Sequence, residues 1–140
     1  MSLTRSEALI EMRDLFDTAW SGNGPVQYDN VRVSGIPPVS TSSWARLVIR
    51  HGESFQATIQ GEAGNRRFRR TGVLTAQIFQ PPGAGLTGAT DLGTIVRDAF
   101  EGVTSPGGII FRRVSINEIG PSGDWFQTNV TTFFEYDEQK

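Results

Sequence analysis

Three sets of residues could do chemistry, and each demands a particular surrounding. Gly83-Ala84-Gly85-Leu86-Thr87-Gly88 has the spacing G-x-G-x-x-G, in which backbone amides at a helix N-terminus cradle a pyrophosphate. That use requires a parallel strand-helix-strand unit. Here Pro81-Pro82 intervene and the following strands read as a hairpin, so the segment is expected to be a plain loop and no cofactor is expected. His51 is the single histidine. A general base needs a hydroxyl or thiol to activate and a carboxylate to orient it; no local motif supplies them, and His51 is expected in a turn. Asp14, Asp17, Asp91, Asp98 and Glu101 recur at helical intervals that suit solvated faces, with no paired carboxylates or E-x-x-H metal pattern. No catalytic residue and no metal ligand is assigned, and the chain is expected not to be an enzyme.

The strongest electrostatic feature is basic. Arg66, Arg67, Arg69 and Arg70 surround Phe68 at a strand start, and Arg46, Arg50, Arg112 and Arg113 fall in other strands. Guanidinium forks suit carboxylates and phosphates, so the candidate interface with another subunit comprises Arg66, Arg67, Arg69, Arg70, Arg112 and Arg113. Charges at strand ends also keep edges from pairing with other chains, and a DNA contact is the third use of such a patch. Asn129-Val130-Thr131 fits a glycosylation sequon but lies in a predicted strand.

These groups are positioned by two helices and a sheet. Thr4 and Glu7 have capping-box spacing, and Leu9, Met12, Leu15, Phe16, Ala19 and Trp20 make a helical stripe, predicting a helix from Thr4 to Trp20. Ser21 to Pro25 ends it. A flexible loop is expected over 21–43, with a short strand at Val26 to Tyr28; Ile36-Pro37-Pro38 and the Ser40 to Ser43 run impose extended or turn structure. At that length it serves either as an interaction arm or as a surface crossover. Alternation from Trp44 to Arg50 predicts a strand with Ala45, Leu47 and Ile49 on one face. Phe55, Ala57 and Ile59 predict the next, joined through His51-Gly52-Glu53 as a hairpin. Arg67 to Phe79 is the third strand, with Gly72 bulging or bending it. Ala89, Leu92, Ile95, Val96, Ala99 and Phe100 predict a second helix closed by Gly102, and Ile109 to Ile119 with Trp125 to Tyr136 form a hairpin about Pro121-Ser122-Gly123-Asp124. The end, 137–140, is expected to fray.

The expected fold is therefore α+β: a single domain in the order α-β-β-β-α-β-β, a mostly antiparallel sheet with two helices on one face. Its second face, rich in Arg, Thr, Gln and Asn, suits water or a partner. Trp125, Phe126, Phe133, Phe134 and Tyr136 exceed what one face of a strand buries, leaving aromatic surface for an assembly contact. The 140 residues suit one core, and 16 Gly with 7 Pro imply loops between short elements. A net charge of −2 gives no global attraction to nucleic acid or anionic lipid, and zero cysteines exclude disulfide and thiolate chemistry. MSLTRSEALIEMRDLF is neither a signal peptide nor a membrane span, which predicts a cytosolic product.

Trp44 to Gly52, Arg66 to Gly72, Gln77 to Gly85 and Asn129 to Glu138 resemble a family of small phage and prophage proteins, and the likeness runs from the first helix to Glu138. That family is similar in element order to the tail terminator, or tail completion, proteins of long-tailed phages. The resemblance implies a virion structural protein assembled in the host cytoplasm. As a hexameric ring it would cap the head-proximal end of the tail tube, contacting the tail tube protein on one side and the head-tail connector on the other. Non-specific DNA contact in the lumen, and no membrane, belong to the same expectation. The alternatives are another neck or head-completion protein, or a small monomeric nucleic-acid or ligand-binding domain.

Overall fold

The computed structural model describes residues 2–28, 43–58, 61–83 and 85–140. The arm or crossover expected beyond Tyr28, with Ile36-Pro37-Pro38, and the strand position Ile59 lie outside the described residues. The element order is α1 (Arg5–Trp20), β1 (Val26–Tyr28), β2 (Trp44–Gln56), β3 (Arg67–Gln80), α2 (Gly85–Phe100), β4 (Ile110–Ser122) and β5 (Trp125–Gln139), the α+β order read from the sequence.

Helix α1 starts where its cap requires. Thr4 Oγ1 accepts from the Glu7 amide at 3.2 Å and Glu7 Oε1 accepts from the Thr4 amide at 3.0 Å, so two otherwise unpaired donors are satisfied reciprocally. The hydrogen bonds from Thr4 lower the Glu7 pKa. Ala8, Met12, Phe16 and Trp20 form the buried stripe, at the spacing one helix face requires. In α2, Ala89, Val96 and Phe100 are buried. Gly93 lies so close to Ile116 that an added Cβ would sit 3.3 Å from its methyl, which lets helix and sheet approach. Gly102, at φ 73, takes the left-handed conformation that ends α2.

The sheet runs β1-β2-β3-β5-β4. Strand β1 is parallel to β2, while β2, β3, β5 and β4 are successively antiparallel. The last strand in the chain therefore occupies the middle of the sheet, and α2 carries the chain across it from β3 to β4. Alternation assigns the faces: Ala45 and Leu47, then Leu74, Ala76 and Ile78, then Val130 and Phe134 join both helices in one core. Residues one position out of step, such as Arg46, Gln77, Asn129 and Phe133, belong to the face without helices.

Three expectations are corrected. His51-Gly52-Glu53 is not a hairpin turn; β2 continues to Gln56, with a register shift between His51 and Ser54, and the chain turns back only before Arg67. The third strand ahead of α2 is β1. Glycine signalled a break, but an extra residue in one strand is absorbed as a bulge without ending the pairing. Phe55 is 55% exposed, because the register after the bulge pairs it with Arg69 on the helix-free face. The end of the chain does not fray at 137: β5 runs to Gln139, and Lys140 and Arg66 exchange backbone hydrogen bonds of 2.8 and 3.2 Å. Gly72, for its part, does not bulge β3, whose register with β5 runs unbroken through it; a Cβ there would collide with the Arg50 carbonyl and the Phe134 ring, so its missing side chain is the space Phe134 fills. The β4-β5 turn falls at Gly123-Asp124, with Ser122 paired to Trp125 and Gly123 at φ 61.

Candidate functional site

The six candidate arginines occupy three places. Strand alternation puts Arg67 and Arg69 on the helix-free face, while Arg70 shares the helix side with Tyr136. Arg66 lies outside the strand, its Nε donating to the Gly61 carbonyl at 2.9 Å. Arg112 and Arg113 sit across β5, on edge strand β4.

Four of them face carboxylates of their own chain. The antiparallel register places Arg69 opposite Asp137 and Phe68 opposite Glu138. Arg69 donates from Nε at 2.8 Å and from a terminal nitrogen at 3.2 Å to the two Asp137 oxygens, a forked pair that raises the guanidinium pKa through the Asp137 hydrogen bond first. Arg67 approaches the same carboxylate at 3.7 Å. Arg70 donates twice to Glu138 Oε1, at 3.1 and 2.9 Å, with its guanidinium carbon 5.4 Å from the Phe68 ring centre. Arg112 donates twice to Glu135 Oε1, at 3.1 and 2.9 Å. The strand-start arginines are thus part of a cross-strand charge ladder, which Asp137 and Glu138 could have signalled, with Glu135, had the segment after Tyr136 been read as strand.

Arg113 differs. Its φ of 55 is the positive value of a non-glycine residue, and it lies in the β4 register shift between Arg112 and Ser115. Its guanidinium carbon stands 5.8 Å from the Phe133 ring centre. Phe133 is 45% exposed, whereas Phe134 and Tyr136 are buried and Trp125 and Phe126 are half-buried; the most exposed aromatic ring of β5 therefore lies beside Arg112 and Arg113. At the opposite end of this face Trp44 and Phe79 stack at 4.3 Å and Trp125 meets Trp44 edge-on at 6.1 Å.

His51 lies in β2, not in a turn. Its Nε2 is 2.7 Å from the Tyr136 hydroxyl, in a pocket of about 280 Å³ that also holds Arg5, Arg70, Ser54 and Glu138. Burial, then Arg5 and Arg70, lower the His51 pKa, and burial raises that of Tyr136. Among the described residues the hydrogen-bond partner of that imidazole is a phenol and not a serine or threonine hydroxyl, and it orients the ring. Among the described residues no group of three or more His, Asp or Glu side chains is placed to hold a metal, and no helix is long and apolar enough to cross a membrane.

These features define a five-stranded α+β sheet protein with two helices on one face and a mixed aromatic and arginine face on the other. One solved structure superposes with a TM-score of 0.68 over 96% of this chain and 96% of its own, at 17% identity; that likeness shows the fold alone, and its name states no function. No protein-family model matches, and no curated protein matches.

Proposed function

We propose that this chain is a non-enzymatic structural subunit of a tailed-phage or prophage particle, a tail terminator that caps the head-proximal end of the tail tube as a hexameric ring. In this role it stops tube polymerisation and offers the head-tail connector a joining surface. The observation that carries the reading is the helix-free face of the sheet, where Phe133 is 45% exposed next to Arg112 and Arg113. A concentration of aromatic and guanidinium groups on an open face suits protein contact. The likeness of the quoted motifs to the phage family supplies the address.

The internal charge ladder supports protein contact over a phosphate track, since Arg67, Arg69, Arg70 and Arg112 meet carboxylates that would repel nucleic acid. It also shifts the expected contact away from Arg69 and Arg70, whose forks are occupied by hydrogen bonds, toward Arg113 and the exposed side of Arg112. Labelled protein mapped on tail particles by electron microscopy tests the role. Label at the head-proximal tube end is expected; label elsewhere in the neck transfers the chain to another head-completion role, and absence from particles refutes both.

A further inference from the structure

Among the described residues, the helix layer has an open groove of its own. Between the C-terminal halves of α1 and α2, Leu15, Ala19, Ala99 and Val103 line an apolar hollow of about 360 Å³, with Glu11 and Asp14 on its wall. Its electrostatics are one-sided. Helix α1 carries Asp17 but no basic residue in its last turn, at the end where the helix dipole is itself negative. Glu11 accepts from the Gly107 amide through Oε1, while its Oε2 is buried without a donor. That oxygen is closed off from a partner, so the carboxylate the groove presents is the exposed Asp14. Among the described residues, no ion pair engages Glu11 or Asp14.

The opposite side of the same molecule carries the complement. Phe133 projects from the helix-free face with Arg113 against its ring and Arg112 opposite it in the ladder. An aromatic ring flanked by guanidinium groups matches an apolar groove walled by carboxylates in both hydrophobicity and sign. We infer that the groove between α1 and α2 is the socket for the Phe133 corner of a second copy of this chain. The ring covers Leu15, Ala19, Ala99 and Val103, and the Arg113 guanidinium meets the Asp14 carboxylate. Socket and corner lie on opposite faces of one subunit, so the contact is head-to-tail: copies related by a closing rotation form a ring. The inference deepens the ring reading above and rests on it for the choice of a second copy as occupant.

The absence of cysteine makes the contact measurable even where association is weak. A chain carrying Ala99→Cys beside the socket and Ser115→Cys beside the corner, treated with a short bismaleimide, is expected to give a ladder of covalent oligomers that either single-cysteine chain lacks. Adding Asp14→Arg, or Arg113→Glu, to the paired-cysteine chain should lower the ladder at least about tenfold, because each puts like charges together. Mixing those two variants should restore it, since the basic socket of one then faces the acidic corner of the other. Phe133→Ser, which leaves the charges in place, should also lower it. Circular dichroism establishes that every variant is folded. A ladder no stronger than the single-cysteine controls, or one indifferent to the charge changes, overturns the inference. Label at tail ends without a ladder would refute this contact and keep the capping role; a ladder without label on particles would do the reverse.

Discussion

Replacing Arg69 by Met removes the best-formed member of the charge ladder while keeping an unbranched apolar stem, and its cost follows from geometry. Arg69 makes two hydrogen bonds to Asp137, at 2.8 and 3.2 Å, and a looser contact of 3.8 Å to Glu135. Hydrogen bonds to charged groups contribute about 1.5–3 kcal/mol, and fully exposed ion pairs only about 0.2–1 kcal/mol. With side-chain exposures of 34% for Arg69 and 19% for Asp137, this pair falls between those limits. The coupling between Arg69→Met and Asp137→Asn is therefore expected near ~1 kcal/mol in a double-mutant cycle. Arg67 provides the internal control: its contact with Asp137 is 3.7 Å and its side chain is 55% exposed, so its cycle should give about 0.3 kcal/mol or less. Urea unfolding of the four chains in each cycle measures both values, and repeating it in 1 M salt, where the screening length falls to about 3 Å, should reduce the larger. An Arg69 coupling below ~0.3 kcal/mol, or equal to that of Arg67, would refute the view that Arg69 is committed to its own chain, and would return it to the list of groups open to a partner.

Two further perturbations probe the sheet. His51 ordinarily titrates near 6.5 and is held lower by burial, Arg5 and Arg70, so the unfolded chain binds the proton first. Its contribution to stability is full above pH 6.5 and lost as pH falls through the lowered folded value; the difference in unfolding free energy between the native chain and His51→Gln should narrow on acidification, and a difference constant with pH would contradict the buried setting. Gly72→Ala drives a methyl into the Arg50 carbonyl and the Phe134 ring and should cost about 1–3 kcal/mol. Adding Phe134→Leu should not recover it in thermal melts, because the carbonyl is backbone; full recovery would locate the strain in the ring alone.

Local rules made most of the fold legible. The Thr4-Glu7 cap, the α1 stripe through Met12, Phe16 and Trp20, and the period-2 runs at Ala45-Leu47 and Leu74-Ala76-Ile78 need only neighbours in sequence, and each stands where its pattern placed it. What failed depends on pairing across the sheet. His51-Gly52-Glu53 has the composition of a turn, and only the opposing β3 register makes it a bulge. The arginine cluster was visible, but its partners were not, because Asp137 and Glu138 become neighbours of Arg69 and Arg70 only when β5 aligns antiparallel to β3 over its whole length. The Phe133 excess was legible as surplus aromatic content; which ring would be left outside was settled by alternation, and by Gly72 making room for Phe134.

If the chain assembles as proposed, the place of β5 between β3 and β4 also sets when a subunit becomes competent to do so. A nascent chain lacking its last strand has β3 without a neighbour on one side and β4 without any, and the arginines at the β3 start lack the carboxylates that occupy them. Phe133, Glu135 and Asp137 all arrive with that strand. Long-range pairing of this kind closes slowly, after the local elements are in hand. In that role, synthesis of the final segment acts as a checkpoint: the Phe133 corner comes into being together with the strand that completes the core, so a half-made subunit lacks that face.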